Sequence, residues 1–318
     1  MKTTTVIRHI SIPLIVALVA SCVEIIPEGE MPNVATTDAY DVYYTSAVAA
    51  GTVTFPEHTK EVGVMFGSDK NDMSFVKGSV SDGKITVDLK NLKEGTKYYY
   101  AAAARIGKKE IVGSILDFTT FVNGPVDLGL PSGLKWASAN LGAEYPTENG
   151  GQYSWGEVRT KQQYDWTTYL WCKGTYSSIT KYYYRYKETD SKKTLETSDD
   201  AASETLGGNW RLPTAGDWAE LKENCAVRAV RINGVNGLKV YNKKTMDESV
   251  FIFLPFSGYK NGVKLYSEGY DGYYWSSTLY QPGFYSDDMA NNVSLSMTGI
   301  KQTEGSRCYG ESIRPVCK

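Results

Sequence analysis

The 318-residue sequence predicts a mostly β protein of two domains, a β-sandwich followed by an α+β domain. Three observations predict it. Short apolar runs broken by Gly, Asp and Asn clusters fill residues 34–121, the pattern of a sandwich. That region holds no Trp and no Cys, whereas all seven Trp and four of the five Cys lie from residue 136 onward. Clear helical spacing is confined to residues 214–225. The length suits two domains of roughly 100–200 residues each. With 42% hydrophobic and 22% charged residues, the chain is composed to build packed cores.

Residues 1–21 read as an address. "MKTTTVIRH" carries Lys2 and Arg8, and "ISIPLIVALVA" is an apolar run of eleven. That run is shorter than the roughly 20 residues a membrane-spanning helix needs, and it matches the core of a signal peptide. "VASC", Val19 to Cys22, then resembles the bacterial lipobox, which implies lipidation of Cys22 and a lipidated tether over residues 22–33. The acidic residues of "VEIIPEGEMPN" resemble the export signal of surface lipoproteins of Bacteroidota. The expected location is the outer membrane, lipid-anchored and facing outward, with the anchor as the sole membrane contact. More than one acyl chain makes such an anchor durable.

Within residues 34–121, "VYYTSAVAAGTVTF", "EVGVMFGS", "KITVDL", "KYYYAAAARI" and "SILDFTTF" read as strands. "LKNLKEGTKYYYAAAARI" resembles the fibronectin type III pattern: Leu92, the Gly95-Thr96 turn and Tyr98 precede a strand. A tyrosine in such a corner bonds back to nearby backbone. His58 reads as a solvated loop residue. "NGP" marks the boundary, and the second domain is expected over residues 124–318.

In that second domain Trp218, Leu221 and Lys222 recur at helical spacing, with Thr214 and Asp217 as a capping box. "SVFIFLPFSGY" and "GYYWSSTLY" read as buried strands, and "NVSLSM" places Val293, Leu295 and Met297 on one face. In register, "DLGLPSGLKWASANLGA", "GGNWRLPT", "IFLPFSGY", "GYYWSST" and "SIRPVC" resemble the Fibrobacter succinogenes major paralogous domain, a member of the C-type-lectin-like superfold. The resemblance implies an α+β domain with one or two helices, twisted sheets and a long irregular region. Under it, Trp210 and Leu212 fill core, and Arg211 and Arg314 are buried bonders of backbone carbonyls.

Cys172, Cys225, Cys308 and Cys317 form an even set in an exported chain, which predicts two disulfides with three connectivities open. The family resemblance implies Cys225–Cys317, which leaves Cys172–Cys308.

Little in the sequence points to catalysis. Only His58 remains after residue 21, which excludes a Ser-His-Asp triad in the second domain and a His-rich zinc site. Asp199/Asp200 and Asp287/Asp288 read as solvated loop acids. The calcium-dependent sugar site of C-type lectins does not carry over, because Gly283 follows Pro282 and "YWSST" lacks Asn and Asp. A calcium site of another kind, built on Asp287 and Asp288, is the one cofactor left open. Loss of the two positive charges of residues 1–21 takes the net charge from −2 to −4, so nucleic acid is not an expected partner.

Tyrosine is the remaining signal: 18 of the 24 lie in the second domain. Tyr offers contact area, a polar tip and few rotatable bonds. The ligand face is expected in the loops over residues 259–310, on Tyr270, Tyr280, Phe284, Tyr285, Asp287 and Asp288. The expected function is a non-catalytic surface module for a glycan or protein ligand, with the sandwich as spacer. A structural or fimbria-associated envelope component is the alternative, and an enzyme the minor one.

Overall fold

The computed structural model describes residues 26, 27, 29–173, 182–187, 191–280 and 288–318. The fold is mostly β, with two short α-helices, Ala201–Leu206 and Ala215–Asn224, among the described residues.

The front part is a β-sandwich. One sheet orders the strands Val34–Tyr40, Ala47–Val53, Lys84–Leu89 and Ser79–Ser81. The other is built around Lys97–Ile106, which pairs antiparallel with Glu61–Asp69, Lys109–Val112 and Leu116–Thr119; Asp72–Lys77 adds to its edge. Alternation sends Ala47, Ala49, Val87 and Leu89 of the first sheet against Val64, Tyr100 and Phe118 of the second. The run Ala101–Ala104 is fully buried. Small side chains are required there because the sheets nearly touch: a Cβ on Gly51 would lie 2.3 Å from that of Ala102. The tyrosine corner is present, with the Lys93 N–H donating to the Tyr98 hydroxyl at 2.9 Å. His58 is not a plain solvated side chain. It ends the 3₁₀ turn Pro56–His58 and pairs with Glu30, ahead of the first strand, at 3.1 Å.

The rear part closes on itself: Lys135–Ala137 pairs with Pro125–Val126 on one side and with Val316–Cys317 on the other. Its main core packs Trp136 against Trp218, ring centroids 4.6 Å apart, with Leu221, Leu254, Phe256, Tyr274 and Val293 around them. The capping box is formed as expected, Thr214 Oγ1 accepting from the Asp217 N–H at 3.1 Å. The helix covers two three-stranded antiparallel sheets: Cys225–Ile232, Val235–Asn242 and Phe251–Pro255, then Gly272–Leu279, Met289–Ser296 and Gly299–Ser306. Val293 and Leu295 face the core, but Met297 lies past the strand end and is 70% exposed.

Four local expectations are corrected. Trp210 is only half-buried and lines a surface cleft, because Gly207 and Gly208, both at positive φ, turn the chain outward before it. Arg211 is likewise partly exposed and ties the Leu212 carbonyl to Asp217 at 2.9 and 2.7 Å. Asp199 and Asp200 are not solvated but 3% and 4% exposed. Asp200 caps the first helix, accepting from the Ala202 and Ser203 N–H groups at 3.0 Å and from Leu212 N–H at 2.8 Å. Asp199 accepts from the Tyr186 hydroxyl and pairs with Arg185.

Arg314 is buried as expected. It donates to the carbonyls of Ala137, Ser138 and Phe253 and to Asn140 Oδ1, at 2.6–3.0 Å. Burial lowers its pKa to about 10, which leaves it charged at neutral pH.

The two parts are joined tightly. Asn233, at the tip of the Cys225–Asn242 hairpin, accepts from the Val42 N–H at 2.8 Å and donates to its carbonyl at 2.9 Å. Phe121 packs on Phe251 with ring centroids 5.3 Å apart, and Tyr43 on Tyr145 at 4.3 Å.

Candidate functional site

Within the stretch expected to carry the ligand face, four tyrosines come together. The short hairpin Tyr259–Asn261/Lys264–Tyr266 turns through Gly262-Val263. Glycine at the first central position is what a two-residue turn of type II′ uses. The register sets Tyr259 directly across from Tyr266, with rings stacked at 5.6 Å. Tyr273, from the strand Gly272–Leu279, meets Tyr259 edge-on at 5.0 Å. Tyr309, in the turn after Gly299–Ser306, completes the group at 5.5 Å.

Two glycines make the arrangement possible. At Gly258, φ is +63° and a Cβ would lie 2.1 Å from the Tyr266 carbonyl oxygen. Only glycine lets the chain leave the buried strand Phe251–Pro255 and fold the hairpin back at that distance. Gly310 bonds Lys260 in both directions at 2.7 and 2.9 Å, and a Cβ there would strike the Tyr164 ring. Lys260 in turn sits 5.4 Å over the Tyr164 ring.

The face is amphipathic. Tyr266 is 41% exposed and Tyr270, on the neighbouring turn, 79%. Val263, in the turn of the hairpin, is exposed as well, and Leu265 is exposed on the other face, across from Lys260. Burial, reinforced by Asp271, raises the pKa of Tyr273. Its phenol therefore stays protonated at neutral pH and can donate as well as accept. Aromatic faces for stacking, with hydroxyls at their edges, are suited to a ligand with an apolar face and polar edges.

Beneath this face lies Glu311, 1% exposed, its two carboxyl oxygens each 2.9 Å from Asn292 Nδ2. Burial raises its pKa to about 8, so it is largely protonated at neutral pH.

Of the expected ligand residues, the structure brings Tyr270 alone to the neighbourhood of this group. Tyr280 and Asp288 flank the far ends of the strands Gly272–Leu279 and Met289–Ser296. Seven residues of strand, about 23 Å, separate Tyr273 from Tyr280. Phe284, Tyr285 and Asp287 lie outside the described residues, as does Cys22. Tyr259 and Tyr309 were not singled out from the sequence. The signal available was "YKNGVKLY", tyrosines placed symmetrically about a Gly-Val turn.

Neither expected disulfide is present among the described residues. Cys172 and Cys308 share one apolar cluster with Trp166 and Tyr169. Cys225 belongs to the main core, where burial pushes its thiol up to about 11, and Cys317 follows Val316 of that core. Among the described residues no group of three His, Cys, Asp or Glu side chains converges as a metal site would, and no helix is long and apolar enough to cross a membrane.

No family model matches the chain, and no curated protein does. Among solved structures, the chain is similar to the sensor domain of the anti-sigma factor RsgI4 in Pseudobacteroides cellulosolvens. That likeness is 23% in identity and covers 29% of this chain and 91% of that one, with a TM-score of 0.24. A computer-redesigned β-sandwich protein is similar at 22% identity, over 27% of this chain and 93% of that one, with a TM-score of 0.23. At such identity and superposition neither likeness transfers a function.

Proposed function

We propose that the chain is a lipid-anchored surface protein, held in the outer membrane through Cys22, whose rear part is a non-catalytic binding module for a glycan or protein ligand. The tyrosine group on the Tyr259–Tyr266 hairpin carries the reading: four rings gathered together, two of them in a cross-strand stack, each bringing a phenol hydroxyl. The front sandwich acts as spacer. Its central strand of ten residues spans about 33 Å, which holds the rear part away from the tether.

Two short helices, several small sheets and a long irregular stretch over residues 138–171 support a C-type-lectin-like domain of the Fibrobacter succinogenes major paralogous type. No metal or cofactor enters this reading. Two disulfides, Cys225–Cys317 and Cys172–Cys308, remain part of it; the second pairing is favoured by the shared cluster.

The test is a glycan array, followed by titration of the best ligand against Tyr266→Ala and Tyr259→Ala. Each variant is expected to lose about 2 kcal/mol of binding, roughly thirtyfold, as an aromatic hot spot does. Folded variants that bind as well as the parent would refute the site. Recovery of the native protein in fibre-like oligomers, with no glycan bound, would favour an envelope scaffold instead.

A further inference from the structure

We infer a second ligand site, distinct from the tyrosine face: the cleft at the junction of the two parts, built to take one neutral sugar ring. The cleft has a volume of about 210 Å³ and is lined by Tyr44 of the front sandwich and by Ser138, Glu144, Leu206, Trp210 and Pro315 of the rear part.

The tryptophan is the first observation. Trp136, Trp155, Trp218 and Trp275 are fully buried and Trp166 is 5% exposed; Trp171 and Trp210 are half-buried, and of these two Trp210 lines the cleft. Beside it Leu206 is 47% exposed, so the apolar wall is left unfinished. The lining also carries polar groups: the Tyr44 hydroxyl, held by donating to the Glu144 carbonyl at 3.1 Å, and Ser138 and Asn123. A cleft that joins an aromatic ring to hydroxyl and amide residues complements a pyranose, which has an apolar face and a ring of hydroxyls.

Size and charge narrow the ligand. Sites for drug-sized molecules run to about 300–1,000 Å³, so this cleft suits a single ring and not the interior of a polymer. Glu144 lines the mouth, which disfavours an acidic sugar. The Asn233 clamp on Val42 and the Phe121–Phe251 and Tyr43–Tyr145 contacts hold both walls in place, so little ordering accompanies binding. The front sandwich is then a contributor to recognition as well as a spacer.

Acrylamide quenching of tryptophan fluorescence tests the inference on the full chain, with glucose, galactose, mannose, fucose and N-acetylglucosamine as probes. Trp210 is one of the few tryptophans open to quencher, so an occupant of the cleft shields a distinct share of the emission. At least one sugar is expected to shield it with a Kd of about 1 mM, the scale for about a dozen heavy atoms at modest efficiency. Leu206→Glu, at an exposed position of the lining, should abolish the shielding, Tyr44→Ala should weaken it about tenfold, and Tyr266→Ala should leave it unchanged. Trp210→Phe removes the reporter itself and so identifies the shielded emission as that of Trp210. The inference is overturned if none of the sugars shields at about 50 mM, well above that expected Kd. Shielding that persists in both Trp210→Phe and Leu206→Glu also overturns it. So does shielding by N-acetyl-leucine amide with none by sugars, which would assign the cleft to a protein side chain.

Discussion

Replacing Glu311 with Gln isolates a buried ionisable group with almost no change of shape. Glu311 is 1% exposed, and its carboxyl is met by a single side-chain amide, Asn292 Nδ2. Desolvation dominates over that hydrogen bond and takes the pKa from 4.5 to about 8. Between those values the folded chain holds a proton that the unfolded chain has released, so stability falls as pH rises. The contribution is fully present below pH about 4.5 and is lost as pH climbs through about 8. At about 1.4 kcal/mol per unit, the loss from Glu311 is on the order of 3–5 kcal/mol. A glutamine amide at this position has no such proton to lose. The Glu311→Gln chain should therefore match the parent near pH 4.5 and exceed it increasingly toward pH 9, where the melting temperature should differ by about 10 °C at some 2–4 °C per kcal/mol. Differential scanning calorimetry of both chains from pH 4.5 to pH 9 gives the comparison, and subtraction removes groups common to both. Parallel curves would show that the carboxyl is solvated or paired in the native state and would refute the reasoning. Tyr273, the titratable neighbour that senses Glu311, should show a higher phenol pKa in the parent than in the variant.

Three further outcomes are expected. Arg314→Met leaves three carbonyls and the Asn140 amide oxygen without their donor, and should cost about 3 kcal/mol or more by urea titration, since an orphaned buried acceptor costs about 1–3 kcal/mol. Asp200→Ala removes the cap of helix Ala201–Leu206 and the bond to Leu212, and should destabilise by about 1–2 kcal/mol; an unchanged denaturation midpoint would mean the cap is idle. Cys22→Ala should release the protein from membranes or leave its precursor uncleaved, read by fractionation and mass spectrometry, and unchanged fractionation and processing would remove the lipid anchor from the reading.

What could be read ahead of the structure follows from how local each signal is. The strand Lys97–Ile106, the tyrosine corner and the Thr214–Asp217 box are encoded within a few residues, and all three are present. The strand Val34–Tyr40 escaped notice because "VATTDAY" shows no apolar face; one of its seven residues is buried. The hairpin of Cys225–Ile232 and Val235–Asn242 also went unread, although its Asn233-Gly234 turn, residues that accept positive φ, was a local signal for it. Asp199 looked solvated because its partners, Tyr186 and Arg185, are 13 and 14 positions away; Asp200 bonds Leu212 at a distance of 12 positions, but its cap on Ala202 and Ser203 is local and was missed with the short helix it starts. Trp210 was expected in the core, with Leu212, from the resemblance that "GGNWRLPT" carries, while the two glycines before it, both at positive φ, lift it outward. The tyrosine group is the least local of all. Its rings come from positions 259, 266, 273 and 309, and the sheets decide that they meet.

The run of the first and last strands of the sandwich has a mechanical consequence. Val34 pairs with Val53 at one pole, and Thr119 pairs with Lys97 at the other, beside the junction. A pull between the tether and the rear part therefore acts along Val34–Tyr40 and not across it. Sliding that strand past Ala47–Val53 loads its ladder bonds together, whereas peeling would break them one at a time. The Asn233 grip on Val42 also gives tension a second route into the sandwich besides the chain itself. Tension between the two ends of the sandwich would be met by shear resistance along the whole length of a strand.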